Sequence, residues 1–358
     1  MSTFYEFRQK LSMLVKDKQY PEALKSFKED AKGFSKQEVA SNEYLVSDIL
    51  TSLRKTNDFD KALLFLKYLG INIDEQTSQR ILNAYGWVLY SKLKAESLLT
   101  DQVVQSGEDD FFDGDEEYSQ LEDTYEVNKS ELITLIENIL PLIDHKNEFG
   151  YTLYSFLFLT VLKAEKKKPS TNWRFVNEFC NLVNPDDLHT DCRTIKVVRK
   201  GQEKDMELAS DREYWYAYKS KALHKISEYQ HCYAVSKKAL EAFDKFHYSN
   251  DIWFTRRIAL AKKHIGSPDE AINELLAVAR KKKEWFIQKE IAELYYEKRD
   301  FKSAFQYATQ AILNFGDLEY KVDLLYLIGL ILREQGESEL AYKHYSLSKL
   351  IRMKEGWS

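Results

Sequence analysis

The chain is poor in the residues that stop helices and turn strands: its 358 residues include 12 glycines and five prolines. Strand-rich folds use such residues in frequent tight turns, so their scarcity favours long helices joined by short connections. Cysteine is scarcer still. Cys180, Cys192 and Cys232 are odd in number and lack paired spacing, which argues against a disulfide framework and points to a reducing, cytoplasmic setting. The start, MSTFYEFRQKL, lacks the apolar run and small-residue cleavage site of a secretion signal. The most apolar stretch, FGYTLYSFLFLTVL at 149–162, would span about 21 Å as a helix, against roughly 30 Å of bilayer hydrocarbon. It reads as a buried helix, and no membrane partner is expected.

Short catalytic signatures are also missing. Neither a phosphate-cradling GxxxxGK[ST] or GxGxxG nor an HExxH, CxxC or GxSxG occurs, which removes the common short-motif routes to an enzyme. The most ligand-like groupings are His189-Thr190-Asp191-Cys192 and His231-Cys232. A metal site needs three or four converging ligands, and neither grouping brings that company in sequence. No metal, cofactor or catalytic residue is expected.

What the chain has in quantity is apolar and charged side chains, 44% and 30%, with 23 Tyr and 20 Phe. Aromatic bulk on this scale suits the gaps between stacked helices. Four small residues near the C-terminus, Cys232, Ala271, Ala304 and Ala341, follow one another at gaps of 39, 33 and 37 residues. Twelve residues before each lies another small residue: Ser220, Ala259, Ala292 and Gly329. Two antiparallel helices joined by a tight turn cross closely, and small side chains let the backbones meet there. In the third unit Phe301, Ala304, Ala308 and Ala311 fall on one helical stripe, which needs a neighbour to pack against. The first unit repeats the scheme with Tyr229, Cys232, Ser236, Ala239 and Leu240. The second turns at Gly266-Ser267-Pro268, with Pro268 where a missing N–H costs little. The fourth turns at Gly336.

These units resemble the tetratricopeptide repeat, a helix–turn–helix of about 34 residues. The resemblance covers 214–349 well. It extends in weaker form to 4–95 through Tyr20, Ala23 and Phe27, then Phe59, Ala62 and Leu66, then a lone first helix around Gly86. It implies an all-α solenoid, a right-handed superhelix of antiparallel helix pairs. The expected organisation is N-terminal repeat hairpins over 1–95, an acidic insertion over 96–128, an irregular helical bridge over 129–205, and four repeats over 206–358. Within the bridge, Ser170 or Thr171 is expected to start a helix that ends near Asn184-Pro185.

The resemblance also implies binding through a concave face lined by the first helix of each unit. That places Tyr214, Lys221, His224 and Lys225 in the groove, then Trp253, Arg256 and Lys263, then Phe286, Lys289 and Tyr296, and finally Tyr326 and Arg333. Tyr, Trp and Arg often dominate interface energy, although the same aromatics also suit a helix core. The groove asparagines of carboxylate-clamp arrays have no match. The leading expectation is a non-catalytic protein- or peptide-binding scaffold. The alternative is single-stranded RNA or DNA held by cations and stacking aromatics, suggested by Arg256-Arg257, Lys262-Lys263, Arg280 to Lys283 and the 196–204 region. Residues 101–140 hold thirteen acidic residues and one basic one, so the remainder carries +7 of the net −5. An acidic loop of that kind is expected to be solvated, and under the alternative it would shield a basic groove. Its carboxylates lack the alternating spacing of a calcium loop. The end, SKLIRMKEGWS, shows no polar capping repeat. That implies a further domain, a partner or a second copy over the last helix.

Overall fold

Among the described residues, six helix pairs are joined by a short turn with one left-handed residue, and each time the second helix begins two residues after it. The computed structural model describes residues 3–101, 130–146, 148–199 and 202–357. The six pairs are α1 (Phe4–Lys16) with α2 (Tyr20–Asp30), α4 (Glu43–Lys55) with α5 (Phe59–Leu69), α10 (Asp211–Lys225) with α11 (Tyr229–Ala242), α12 (Asn250–Ile265) with α13 (Pro268–Lys281), α14 (Trp285–Glu297) with α15 (Phe301–Leu313), and α16 (Val322–Glu334) with α17 (Ser338–Glu355). Their left-handed residues are Lys18, Asn57, Ser227, Gly266, Arg299 and Gly336. In each turn the following N–H donates to the carbonyl five residues back, as from Gln19 to Leu14 at 2.8 Å and from Asp300 to Tyr295 at 2.9 Å. This bond satisfies a carbonyl that the ending helix leaves without a partner. Five residues after each left-handed position stands a buried small residue: Ala23, Ala62, Cys232, Ala271, Ala304 and Ala341. The repeated unit is therefore a turn and a close crossing at fixed separation, which is the tetratricopeptide-like arrangement of an all-α solenoid.

The chain divides into two compact units, the first ending at Tyr218 and the second beginning with Lys219. The change falls inside α10, not at the expected 205/206 boundary, because the start of α10 belongs to the first core. Trp215 Nε1 donates to the Cys180 carbonyl at 3.0 Å, and Tyr216 and Tyr218 are buried.

In the first unit, the two N-terminal hairpins flank α3 (Lys36–Ala40), which opens on a Ser35–Glu38 capping box. They carry Leu11 and Leu50 at the position where the C-terminal pairs have a small residue, and both leucines are fully buried. The lone first helix is α6 (Gln79–Asp101), which packs on α4 and on α8 (Glu148–Lys166). Gly86 makes that approach possible: an added Cβ would lie 2.7 Å from Leu153 Cδ2. The apolar 149–162 stretch lies within α8, with Leu153, Leu157, Phe158 and Leu162 in the core. No helix among the described residues is long and apolar enough to cross a membrane.

Residues 129–205 are not purely helical. After α7 (Glu131–Ile139), α8 and α9 (Trp173–Asn181), the chain forms an antiparallel hairpin of β1 (Thr194–Arg199) and β2 (Gln202–Glu207). The segment TIKVVR is rich in β-branched residues, and Lys196 pairs with Glu203 at 3.1 Å. Alternating charge and β-propensity thus outweigh the helical context. The cap of α9 is Asn172, whose side chain accepts from the Phe175 N–H, not Ser170 or Thr171. Of the expected acidic insertion, residues up to Asp101 continue α6. The rest of it, with the calcium and shielding readings that concern it, lies outside the described residues.

The second unit stacks α11 to α17 behind the end of α10. One apolar cluster joins Trp253, Ala259, Ala271, Leu275, Phe286 and Ile291; the next joins Ala292, Ala304, Ala308, Leu324, Ile328 and Ala341. Pro268 opens α13.

Candidate binding face

Within the second unit the first helices α12, α14 and α16 stand side by side. Two ion pairs tie α12 to α14. Arg256 Nε lies 3.0 Å from Glu290 Oε2, and Arg256 Nη2 bonds the other oxygen of the same carboxylate. Lys263 Nζ lies 2.7 Å from Glu297 Oε1. The separation is 34 residues in each pair, close to one repeat length, so equivalent turns of successive helices carry opposite charge.

The structure separates the groove candidates into core and face. Trp253 and Phe286 are buried, with ring centroids 6.0 Å apart. They are helix-packing residues, corrected from the groove because they project between pairs. Tyr214 is likewise buried, and belongs to the first unit, with Lys163 over its ring at 5.2 Å. Arg256 is 4% exposed, held between Glu290 and the Phe286 ring at 5.0 Å. Lys289 is 5% exposed and pairs with Glu293 at 3.5 Å. Arg256 thus braces α12 against α14, Lys289 lies along its own helix, and neither is exposed. Lys221, His224, Lys225, Lys263 and Tyr296 are half-buried, while Tyr326 and Arg333 are exposed.

Sequence reasoning missed the carboxylates. Glu290, Glu293 and Glu297 occupy one face of α14 at spacings of three and four. The detectable signal was the 34-residue offset to Arg256 and Lys263. Lys262, beside Lys263, is paired with α13 instead: it meets Glu270 and Glu274 at 2.7 and 2.6 Å, and those bonds raise its pKa. His264 stacks on Tyr229 at 3.8 Å, and burial, followed by the charge of Lys263, lowers its pKa. Of the ligand-like groupings, His231 is exposed beside Glu228 while Cys232 is buried, its Sγ donating to the Ser220 carbonyl at 3.4 Å. His189 lies against Tyr151 with ring centroids 3.9 Å apart.

The far end of the face is different. Arg333 is the equivalent of Lys263 on α16, and its ion pair is with the adjacent Glu334 at 3.5 Å. The phenol of Tyr345 on α17, then desolvation, Glu334 and Tyr296 act on it, with a net rise in its pKa. Tyr326 and Tyr345 have ring centroids 5.2 Å apart. Aromatic surface and an exposed guanidinium thus coincide on α16 and α17.

No family model and no curated protein matches the chain. Solved structures of repeat proteins resemble it at a distance. MamA residues 41 to the end from Desulfovibrio magneticus RS-1 is 14% identical, with a TM-score of 0.39, over 57% of this chain and 96% of that one. YrrB, described as a TPR protein with an unusual peptide-binding site, is 11% identical with a TM-score of 0.36, over 62% of this chain and 93% of its own. An IFIT1 monomeric mutant with Gppp-AAAA is 12% identical with a TM-score of 0.35, over 96% of this chain and 68% of its own.

Proposed function

We propose that the chain is a non-catalytic scaffold that holds a protein or peptide partner on the face formed by α12, α14 and α16, within a cytoplasmic complex. The observation that carries this reading is the set of ion pairs from Arg256 to Glu290 and from Lys263 to Glu297. Nucleic-acid binding needs several cations free to replace the counterions of phosphates. Here Arg256 and Lys263 are matched by carboxylates of the next first helix, while Tyr326 and Arg333 are exposed. A face of mixed charge with exposed aromatics suits a polypeptide, whose affinity concentrates in a few aromatic and Arg anchors.

The test is affinity purification of the tagged chain, with and without nuclease, compared with a Tyr326→Asp variant. A partner retained after nuclease and lost from the variant supports the scaffold. Partners lost on nuclease treatment transfer the reading to RNA or DNA, and partners indifferent to Tyr326→Asp remove this face from it.

A further inference from the structure

The ion pairs that cross from one first helix to the next change character at α16. Arg256 and Lys263 on α12 each reach forward to α14. From α14 onward the pattern lapses. Leu327 stands where the forward partner of Lys289 belongs, and Lys289 turns to Glu293 on its own helix. By repeat register Glu334 corresponds to Glu297, and the place of Lys263 one repeat earlier is taken by the phenol of Tyr296. Arg333 is left with its chain neighbour Glu334, and the two side chains are 56% and 40% exposed. An exposed pair at that distance holds a guanidinium only weakly.

Tyr345 and Tyr296 lie near enough to Arg333 to act on its charge. Tyr345 sits close over α16 because Gly329 beneath it has no side chain; an added Cβ would lie 2.5 Å from its ring. The Tyr345 hydroxyl is buried, with no hydrogen-bond partner in the structure. Burial raises the pKa of this phenol. Tyr326 adds an exposed ring alongside.

We infer that Arg333, flanked by Tyr296, Tyr326 and Tyr345, is the subsite for a carboxylate of an acidic peptide. This rests on the peptide-binding reading of the face and adds to it the chemistry of the ligand. The planar guanidinium accommodates a carboxylate through two parallel N–H···O bonds, and a lysine at the same place offers only a point charge. The carboxylate comes from an Asp or Glu side chain or from the peptide C-terminus.

The experiment is selection from an immobilised library of random 12-residue peptides, made in C-terminally free and amidated forms. It compares the wild-type chain with Arg333→Gln, Arg333→Lys and Lys343→Gln. The last removes the same charge from an exposed α17 residue paired with Glu339. The wild type and Lys343→Gln are expected to enrich acidic peptides, Arg333→Gln to lose that enrichment, and Arg333→Lys to retain only part of it. For a selected peptide, Arg333→Gln is expected to weaken binding at least about tenfold, the scale of one charge-assisted bond. Enrichment that persists after amidation identifies a side-chain carboxylate, and enrichment confined to free termini identifies the C-terminus. Peptides bound without acidic bias, or an acidic bias untouched in Arg333→Gln, overturn the subsite and leave the peptide-binding face standing. No bound peptide of any composition overturns both.

Discussion

A Cβ placed on Gly329 of α16 would lie 2.5 Å from Cε1 and 2.7 Å from Cδ1 of Tyr345 on α17. The fourth crossing therefore depends on one missing methyl group. Gly329→Ala is expected to destabilise the second unit by about 1–2 kcal/mol, an overpacking cost reduced by the helix propensity gained. Gly86→Ala should cost less, because the nearest atom there is the end of the flexible Leu153 side chain at 2.7 Å. Urea titrations of both variants check the order. A Gly329→Ala/Tyr345→Ala double variant should recover part of the loss, and strict additivity of the two changes would contradict the contact.

The six interhelical turns yield a second expectation, of opposite sign at different positions. Arg299 and Ser227 hold φ values of 61° and 62°, in the region that strains residues bearing a Cβ. Arg299→Gly and Ser227→Gly are each expected to raise stability by roughly 0.5–1 kcal/mol, the relief of that strain less the added freedom of glycine in the unfolded chain. Gly336→Ala, at φ 84° with nothing within 4 Å of an added Cβ, should lower it by about 1 kcal/mol. Thermal melts of the three variants measure this, and a Gly336→Ala melt at the wild-type temperature would show that the turn tolerates a side chain.

These turns also explain how much of the molecule could be read from its sequence. The C-terminal pairs were legible because small residues such as Ala271 and Ala304 must recur wherever helices cross closely. The left-handed position was legible only at Gly266 and Gly336, since Lys18, Asn57, Ser227 and Arg299 adopt it without announcing it. The β-hairpin at 194–207 was hidden by a charge-rich composition that resembles a solvated helix surface. On the first helices the sequence singled out Arg256 and Lys263, and the structure pairs each of them with a carboxylate of α14. The sequence did not separate Trp253 and Phe286, buried between pairs, from Tyr326, exposed on the same type of helix. That distinction depends on what the neighbouring helix covers, and a single repeat does not encode it.

The Arg256–Glu290 pair bears on stability. Both side chains are largely buried, 5% and 13% exposed. Removing one partner of such a pair leaves the other charge without compensation in a poorly solvated place. Glu290→Gln is expected to cost about 3 kcal/mol, against about 1 kcal/mol or less for Asp30→Asn in the exposed Lys10–Asp30 pair. Replacing both partners, as Arg256→Met with Glu290→Leu, should restore most of the stability. Denaturant midpoints of the single and double variants decide it; equal losses for Glu290→Gln and Asp30→Asn would mean that burial does not amplify the pair.

The three thiols offer the last test, because their environments divide sharply. Cys180 and Cys232 are fully buried and Cys192 is exposed. Cys232 stands at a helix crossing, where burial raises its pKa to about 11 despite the opposing charge of Arg257. The thiolate is the reactive form, so a buried thiol with a raised pKa should resist modification on two counts. Titration of the native chain with a disulfide reagent at pH 7.5 should label Cys192 rapidly and leave the other two. Raising the pH to 9 should speed the Cys192 reaction and still leave Cys232 unmodified, since that pH remains well below its ionisation. All three thiols should react at once in denaturant. Rapid native labelling at Cys232, identified by peptide mapping, would show that the α10–α11 crossing opens and that Cys232 is more than a packing residue.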